Sequence, residues 1–159
     1  MVKLEEINFI VNMEIKKLTH RNLNEFIALI RVFEEVFEMK NFAMPNQEHL
    51  RKILSKPNFI VFVALINNQV VGGLTTYVLE QYYSEKPLAY IFDLAVKASY
   101  QRQGIGKQLI ASVTNYCREK GFEEVFVQAD KVDDYAIDFY RSTGVTAEEE
   151  VVHFYYKFV

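Results

Sequence analysis

Residues 90–121 read YIFDLAVKASYQRQGIGKQLIASVTNYCREKG, and this stretch decides the fold. Its first seven residues are almost all apolar and predict a buried strand. After a short loop, apolar residues recur every four positions, which is helical spacing: Ile105, Leu109, Val113 and Cys117. Gly121 follows where a left-handed C-terminal cap is expected. The stretch therefore predicts a strand, a glycine-containing turn and a long helix.

The turn before the predicted helix has the features of an anion site. The first amides of a helix have no partner within the helix, and the helix dipole places partial positive charge beside them. Gly104 and Gly106 would let a phosphate approach the backbone, and Arg102 and Lys107 add two positive charges. Because glycine also serves tight packing, such a turn alone can equally be a simple connection.

Three phosphate-binding loops can be compared with this turn. A dinucleotide fingerprint requires a third glycine at the position of Leu109. A P-loop requires glycine at the position of Gln101 and Ser or Thr at the position of Gln108. These mismatches argue against a nucleotide cofactor. The turn instead resembles the pattern Gln/Arg-x-x-Gly-x-Gly/Ala, the pyrophosphate loop of the GNAT N-acetyltransferases.

Length and composition predict one domain over residues 1–159. Half of the residues are hydrophobic, and thirteen Phe and ten Tyr favour a core rich in sheet. The net charge of −3 argues against nucleic acid as a partner. One cysteine cannot form an internal disulfide, and no Cys/His cluster has zinc spacing, so we expect no metal. Cys117 lies on the apolar stripe and is predicted to be a buried structural thiol.

The N-terminal stretch argues against a targeting or membrane segment. Residues 1–19 contain only a short apolar run at 7–11, which is neither a signal peptide nor a membrane span. We therefore expect a cytoplasmic protein that does not associate with a membrane.

Before the central stretch, the sequence predicts a strand, two helices and a hairpin. Residues 13–18 alternate weakly, and Asn22 with Glu25 suggests a capping box that opens a helix. A second helix is predicted over 47–54. Strands over 59–66 and 70–79 are joined by Asn67 and Asn68, which tolerate positive φ. Gly72 and Gly73 indicate a bulge or a close backbone approach.

After the central stretch, the sequence predicts a strand, a short helix and a last strand. The strand at 124–129 should lie parallel to the central strand across the helical crossover. The helix at 135–142 has Asp133 or Asp134 as N-cap and Gly144 as C-cap, and residues 151–158 alternate as a final strand. The fold class is therefore α+β, with a mixed sheet in the order β-α-α-β-β-β-α-β-α-β.

Several separate blocks in the right order extend the family resemblance over residues 13–158. The chain resembles a GNAT acetyltransferase, and most of all the aminoglycoside 3-N-acetyltransferases. The matching blocks are Thr76-Tyr77-Val78-Leu79, Phe92-Asp93-Leu94-Ala95-Val96, Val127-Gln128-Ala129-Asp130, Asp133-Asp134, Phe139-Tyr140 and Glu149-Glu150-Val151-Val152-His153-Phe154.

The resemblance implies acetyl-CoA as cosubstrate, bound at a splayed parallel pair of strands. The pyrophosphate would lie on Gln101, Arg102, Gln103, Gly104, Ile105, Gly106 and Lys107. The pantetheine arm would pair with the backbone of Leu94, Ala95 and Val96, where an N–H near Leu94 would stabilise the developing oxyanion. Further contacts with the cosubstrate are expected at Asp133, Ala136 and Phe139.

Two residues are candidates for moving protons. Tyr140 occupies the family position that protonates the departing thiolate, although a buried aromatic is the plainer reading of its helix position. Asp93 is the one charge in residues 89–96 and could accept the proton of the amine, directly or through a water, unless it forms a salt bridge. Strict alternation would place Asp93 on one face of the strand with Ile91 and Ala95, and place on the other face Tyr90, Phe92, Leu94 and Val96.

Acidic residues near the strand ends could bind a small polycationic amine, or could be ordinary surface charges and helix caps. They are Glu80, Asp130, Asp134, Glu149 and Glu150. The chain departs from its family at Asp133, where many members have Asn, and at Tyr135, where the aminoglycoside group often has Pro. Tyr135 could reshape the acceptor pocket, so the identity of the acceptor stays open.

The resemblance therefore predicts an N-acetyltransferase that acts on a primary amine of a small cationic acceptor such as an aminoglycoside. A role in antibiotic resistance is implied with it. A peptide or protein acceptor is the alternative within the enzyme class. A non-catalytic acetyl-CoA-binding module is the alternative outside it, against which Tyr140 and Asp93 argue. Dimers are common in the superfamily, and the C-terminal strand could form the interface of a homodimer.

Overall fold

The computed structural model describes residues 12–158, which form two compact units, 12–128 and 129–158. The first unit contains the sheet and three helices, and the second contains one helix. In chain order the elements are β1 Met13–Lys17, α1 Leu23–Val36, α2 Gln47–Leu54, β2 Phe59–Ile66, β3 Gln69–Leu79, β4 Leu88–Val96, α3 Ile105–Glu119, β5 Glu124–Val127 and α4 Asp134–Arg141.

The five strands lie in sequence order across one sheet. The first three pairs are antiparallel, while β4 and β5 are parallel and are connected through α3. The predicted mixed sheet with its helical crossover is confirmed. The turn between β2 and β3 is also confirmed, because Asn67 and Asn68 have φ angles of 50° and 61°.

Helices cover both faces of the sheet. On one face, α1 packs so closely on β3 that a Cβ added to Gly73 would lie 2.6 Å from a methyl carbon of Leu29. We call this side of the sheet the α1 face. On the other side, α3 buries the stripe that the sequence predicts: Ile105, Leu109, Val113 and Cys117. Burial raises the pKa of the Cys117 thiol to about 11, as expected for a structural cysteine.

The strand β4 contains a bulge that breaks the predicted alternation. Thr75 on β3 lies opposite Asp93, but Thr76 lies opposite Ile91, so Phe92 is an extra residue on β4. Directly opposed residues share a face, and Thr75 and Tyr77 lie on the α1 face with Gly73. Asp93 and Tyr90, their partners, therefore lie on the same face. The expectation that Tyr90 and Asp93 face opposite sides was wrong, because register is set by the neighbouring strand.

Two local predictions were also wrong. Asn22 precedes α1 but forms no capping box, since its side-chain oxygen accepts the Thr19 N–H at 2.9 Å. Residues 151–158 have no regular secondary structure, and their side chains are exposed. The predicted final strand is therefore not formed. Alternation alone does not make a strand, because its backbone groups require a partner strand, and none pairs with this segment within the described chain.

Candidate active site

The parallel strands β4 and β5 separate in the middle of β4. They pair only where Leu88–Ile91 lies beside Glu124–Val127, whereas β4 continues to Val96. Among the described residues, no strand occupies the β5 side of residues 92–96. The predicted pantetheine positions, Leu94, Ala95 and Val96, therefore lie on the part of β4 that has a partner strand on one side only. This arrangement fits the addition of an extended, hydrogen-bonding arm.

The turn that enters α3 is shaped by two residues with positive φ. Arg102 has a φ of 59° and Gly104 a φ of 83°, after which the helix begins at Ile105. The side chain of Gln101 donates to the Val96 carbonyl at 2.8 Å and ties the turn to the end of β4. The side chain of Gln103 reaches the Ser99 carbonyl at 3.4 Å.

The first turn of α3 is open to an anion. No side chain caps the helix at Gly104, and a Cβ built there would meet nothing within 4 Å. Ile105 is buried, Gly106 is half-buried and the Lys107 side chain is exposed beside these amides. Open space, uncapped amides and nearby positive charge together fit a diphosphate.

Asp93 is half-buried on the α1 face of β4. Loss of solvent around the carboxyl raises the pKa of Asp93 above its ordinary value. The structure shows no ion pair to Asp93 within residues 12–158, which argues against the salt bridge weighed from the sequence. A carboxylate that is poorly solvated and has no cation beside it is a better proton acceptor than a surface acid.

Aromatic side chains that sequence reasoning missed lie on the same face as Asp93. The ring of Phe92 is 5.6 Å from Tyr77 and 5.9 Å from Tyr90, measured between centroids. Tyr90 in turn stacks on Phe126 of β5 at 4.8 Å. Three aromatic residues within two adjacent strands are a signal for this cluster, but nothing in the local sequence indicates the bulge that brings Phe92 to the other rings.

In the second unit, Tyr140 lies near the end of α4. It is partly buried, and its ring is 5.1 Å from that of Phe139. At the start of the helix, the Asp133 carboxylate accepts the Ala136 N–H at 3.0 Å, so the predicted N-cap is confirmed. The predicted cosubstrate contacts Asp133 and Ala136 are thus joined in this cap.

The predicted acidic residues are divided between the units. Glu80 follows β3 in the first unit, and the other four are exposed in the second: Asp130, Asp134, Glu149 and Glu150. Asp134 lies in the first turn of α4, where a negative charge complements the helix dipole. Glu150 contacts Lys131 at 3.1 Å in a solvent-exposed pair, so part of its charge is balanced locally.

No helix within residues 12–158 is long and apolar enough to cross a lipid bilayer.

Comparison with known proteins identifies the family. The family model described as "Acetyltransferase (GNAT) family" matches residues 25–145. N-alpha-acetyltransferase 50 from Danio rerio is 31% identical over 144 residues, which is 90% of this chain and 80% of that protein.

Similar solved structures include an aminoglycoside acetyltransferase, meta-AAC0020, from an uncultured soil metagenomic sample. Its complex with trehalose is 67% identical, with a TM-score of 0.91 over 92% of this chain and 97% of that one. Its complex with sisomicin is 65% identical, with a TM-score of 0.93 over 94% and 99%. With the family model matching most of its length, this chain belongs to the GNAT family of acetyltransferases.

Proposed function

We propose that this chain transfers the acetyl group of acetyl-CoA to a primary amine of an aminoglycoside, at the 3-N position. The observation that carries the proposal is the 65% identity, over nearly the whole of both chains, to an aminoglycoside acetyltransferase in complex with sisomicin. GNAT acetyltransferases use acetyl-CoA, and the split between β4 and β5 together with the open start of α3 fits that cosubstrate. The 3-N position rests on the sequence resemblance alone.

In this proposal, the first unit binds the diphosphate and the pantetheine arm of the donor. The amides of Ile105, Gly106 and Lys107 bind the diphosphate, with Arg102 and Lys107 adding charge and Gln101, Gln103 and Gly104 shaping the turn. The backbone of Leu94, Ala95 and Val96 pairs with the pantetheine arm, and Asp133, Ala136 and Phe139 make further contacts. Acetyl-CoA supplies a thioester carbonyl as the electrophile, and an N–H near Leu94 donates to the oxygen on which charge develops.

Two side chains carry the protons. The amine nitrogen forms a bond to the acetyl carbon as the carbon–sulfur bond breaks, and the surplus amine proton passes to the Asp93 carboxylate, directly or through a water. The Tyr140 hydroxyl donates its proton to the departing thiolate. Glu80, Asp130, Asp134, Glu149 and Glu150 attract the other ammonium groups of the acceptor.

A peptide N-terminus is the second candidate acceptor. It is favoured by the 31% identity to N-alpha-acetyltransferase 50, which extends over 90% of this chain. A cytoplasmic location is part of the proposed function. A role in antibiotic resistance is also part of it and applies only if the acceptor is an aminoglycoside.

The test is a thiol-release assay with acetyl-CoA and three acceptors: sisomicin, a polyamine and a peptide with a free N-terminus. We expect the highest kcat/KM with sisomicin, and NMR of the product should place the acetyl group on the 3-N amine. Tyr140→Phe should lower kcat about 100-fold while the affinity for CoA is kept, because the variant lacks only the hydroxyl group that donates the proton. Absence of turnover with every amine would refute the proposal that the chain is an N-acetyltransferase. A higher kcat/KM with the peptide than with sisomicin would favour the peptide N-terminus as the acceptor.

A further inference from the structure

We propose that the aromatic row formed by Tyr77, Phe92, Tyr90 and Phe126 is a platform for the acceptor, in which the exposed ring of Phe92 packs against a protonated amino-sugar ring. The inference rests on the proposed function, since it assigns the surface that recognises the acceptor's ring. It concerns residues of the first unit only.

The rings of the aromatic row form a continuous series across three strands. Phe92 stands edge-to-face against Tyr77, with centroids 5.6 Å apart at 90°, and against Tyr90, with centroids 5.9 Å apart at 85°. Tyr90 in turn stacks on Phe126 of β5 at 4.8 Å. Phe59 on β2 extends the series, with its ring 5.2 Å from Tyr77. The Tyr90 hydroxyl is 3.1 Å from the Gln128 side-chain oxygen, to which it donates, and this bond fixes the ring. The platform is therefore held in place before any ligand arrives.

The half of the row formed by Tyr77 and Phe92 is open to solvent, although β4 lies inside the sheet. Phe92 is 56% exposed and Tyr77 is 38% exposed. Burying a phenylalanine side chain stabilises a protein, so the exposed ring of Phe92 lacks the stabilisation that a buried position would supply. Phe92 is also the bulged residue, which means that the strand is distorted at the point where the ring reaches the surface. Exposed aromatics at such a position are typical of a binding surface.

The chemistry of the face selects an amino sugar. The carbon–hydrogen faces of a sugar ring pack on flat aromatic rings, and ammonium groups are attracted to the faces of the same rings. Asp93 adds a carboxylate on the α1 face, one residue from Phe92 along β4. Among residues 12–158, the lysines found over aromatic rings lie on Tyr116 and Tyr155 and not on the aromatic row. The row thus combines apolar area with the neighbouring carboxylate of Asp93, which suits a cationic ring.

The test compares Phe92→Leu with a matched exposed aromatic, Tyr82→Leu. Leucine keeps apolar volume on β4 but removes the aromatic face, and Tyr82 is 98% exposed, with its ring against Tyr83. We expect Phe92→Leu to raise the KM for sisomicin about tenfold, the factor that corresponds to loss of one cation–π contact of about 1.4 kcal/mol. Its kcat, its KM for acetyl-CoA and its KM for a ringless diamine should be unchanged, and Phe92→Trp should restore the KM for sisomicin. Tyr82→Leu should behave as the parent.

An unchanged KM for sisomicin in Phe92→Leu, or an equal rise for sisomicin and for the ringless diamine, would overturn the platform while leaving the proposed function intact. Circular dichroism and the thermal midpoint show whether each variant is folded. If the parent acetylates no amine, the proposed function fails first. Calorimetric measurement of sisomicin binding to the parent and to Phe92→Leu then still tests the platform. The proposal requires the variant to bind sisomicin about tenfold more weakly than the parent does.

Discussion

Asp93 combines a cost in stability with a gain in basicity. Its carboxyl is half-buried, and the loss of solvent raises its pKa, so the folded chain holds the proton more tightly than the unfolded chain does. The contribution of this group to stability is therefore fully present below the unfolded pKa and is lost as the pH rises through the folded pKa. At neutral pH the ionised form is a small burden on the fold and a competent proton acceptor.

We expect Asp93→Asn to lower kcat/KM for the amine by about 100-fold, because asparagine cannot accept the proton. The same variant should be more stable than the parent at neutral pH, and this advantage should shrink in acid, where the parent carboxyl is protonated. Denaturant unfolding at two pH values measures the second effect, and thiol release measures the first. In the parent, kcat/KM should rise with pH through an apparent pKa above that of an ordinary carboxyl. Full activity of the variant would remove Asp93 from the proposed role, and lower stability at neutral pH would contradict the desolvation argument.

The helix α3 is the element that the sequence predicts best, because every signal for it is local. Its buried stripe, its entry glycine and its exit glycine are all within one stretch of chain, and all three are confirmed. The bulge in β4 could not be predicted in the same way. Whether Phe92 adds a residue to the strand depends on which residues of β3 lie opposite, and alternation within β4 contains no information about that register.

The two glycines that flank α3 form a matched pair. Gly104 and Gly121 have φ angles of 83° and 79°, and a Cβ on either would meet nothing within 4 Å. Alanine at either position should therefore lower the free energy of unfolding by about 1 kcal/mol, through backbone strain alone. Only Gly104→Ala should also raise the KM for acetyl-CoA, because a shift of the left-handed turn reorients the amides that are proposed to bind the diphosphate. An equal rise in Gly121→Ala would show that the effect on KM comes from stability and not from the anion site.

At the scale of the whole molecule, the least predictable segment is the last one described. Residues 151–158 contain alternating branched and aromatic residues, yet none of them belongs to a strand of the sheet. An alternating pattern indicates that a segment can form a strand, but it does not identify the strand with which the segment would pair. Large apolar side chains remain exposed along it: Val151, Val152, Phe154, Tyr155, Tyr156 and Phe158. Contiguous exposure of this kind is typical of surfaces that associate.

We therefore expect the chain to self-associate through residues 151–158, in line with the homodimer predicted from the sequence. Size-exclusion chromatography with light scattering should give a mass above that of one chain, and a variant that lacks residues 151–159 should shift toward the monomer. The substitution Phe122→Ser, a half-buried aromatic outside the segment, controls for a general loss of apolar side chains. A monomeric parent at high concentration would refute the prediction.

The extra residue in β4 also has a consequence for how such enzymes diverge. If the codon for Phe92 were deleted, Tyr90, Ile91 and Asp93 would fall into ordinary alternation, and the carboxylate would still point to the side of α1. If Phe92 and Asp93 have the roles proposed above, one inserted amino acid adds a ring that contacts the acceptor without moving the proton acceptor. A single insertion or deletion would then change the range of acceptors over evolutionary time, while the reaction itself is inherited unchanged.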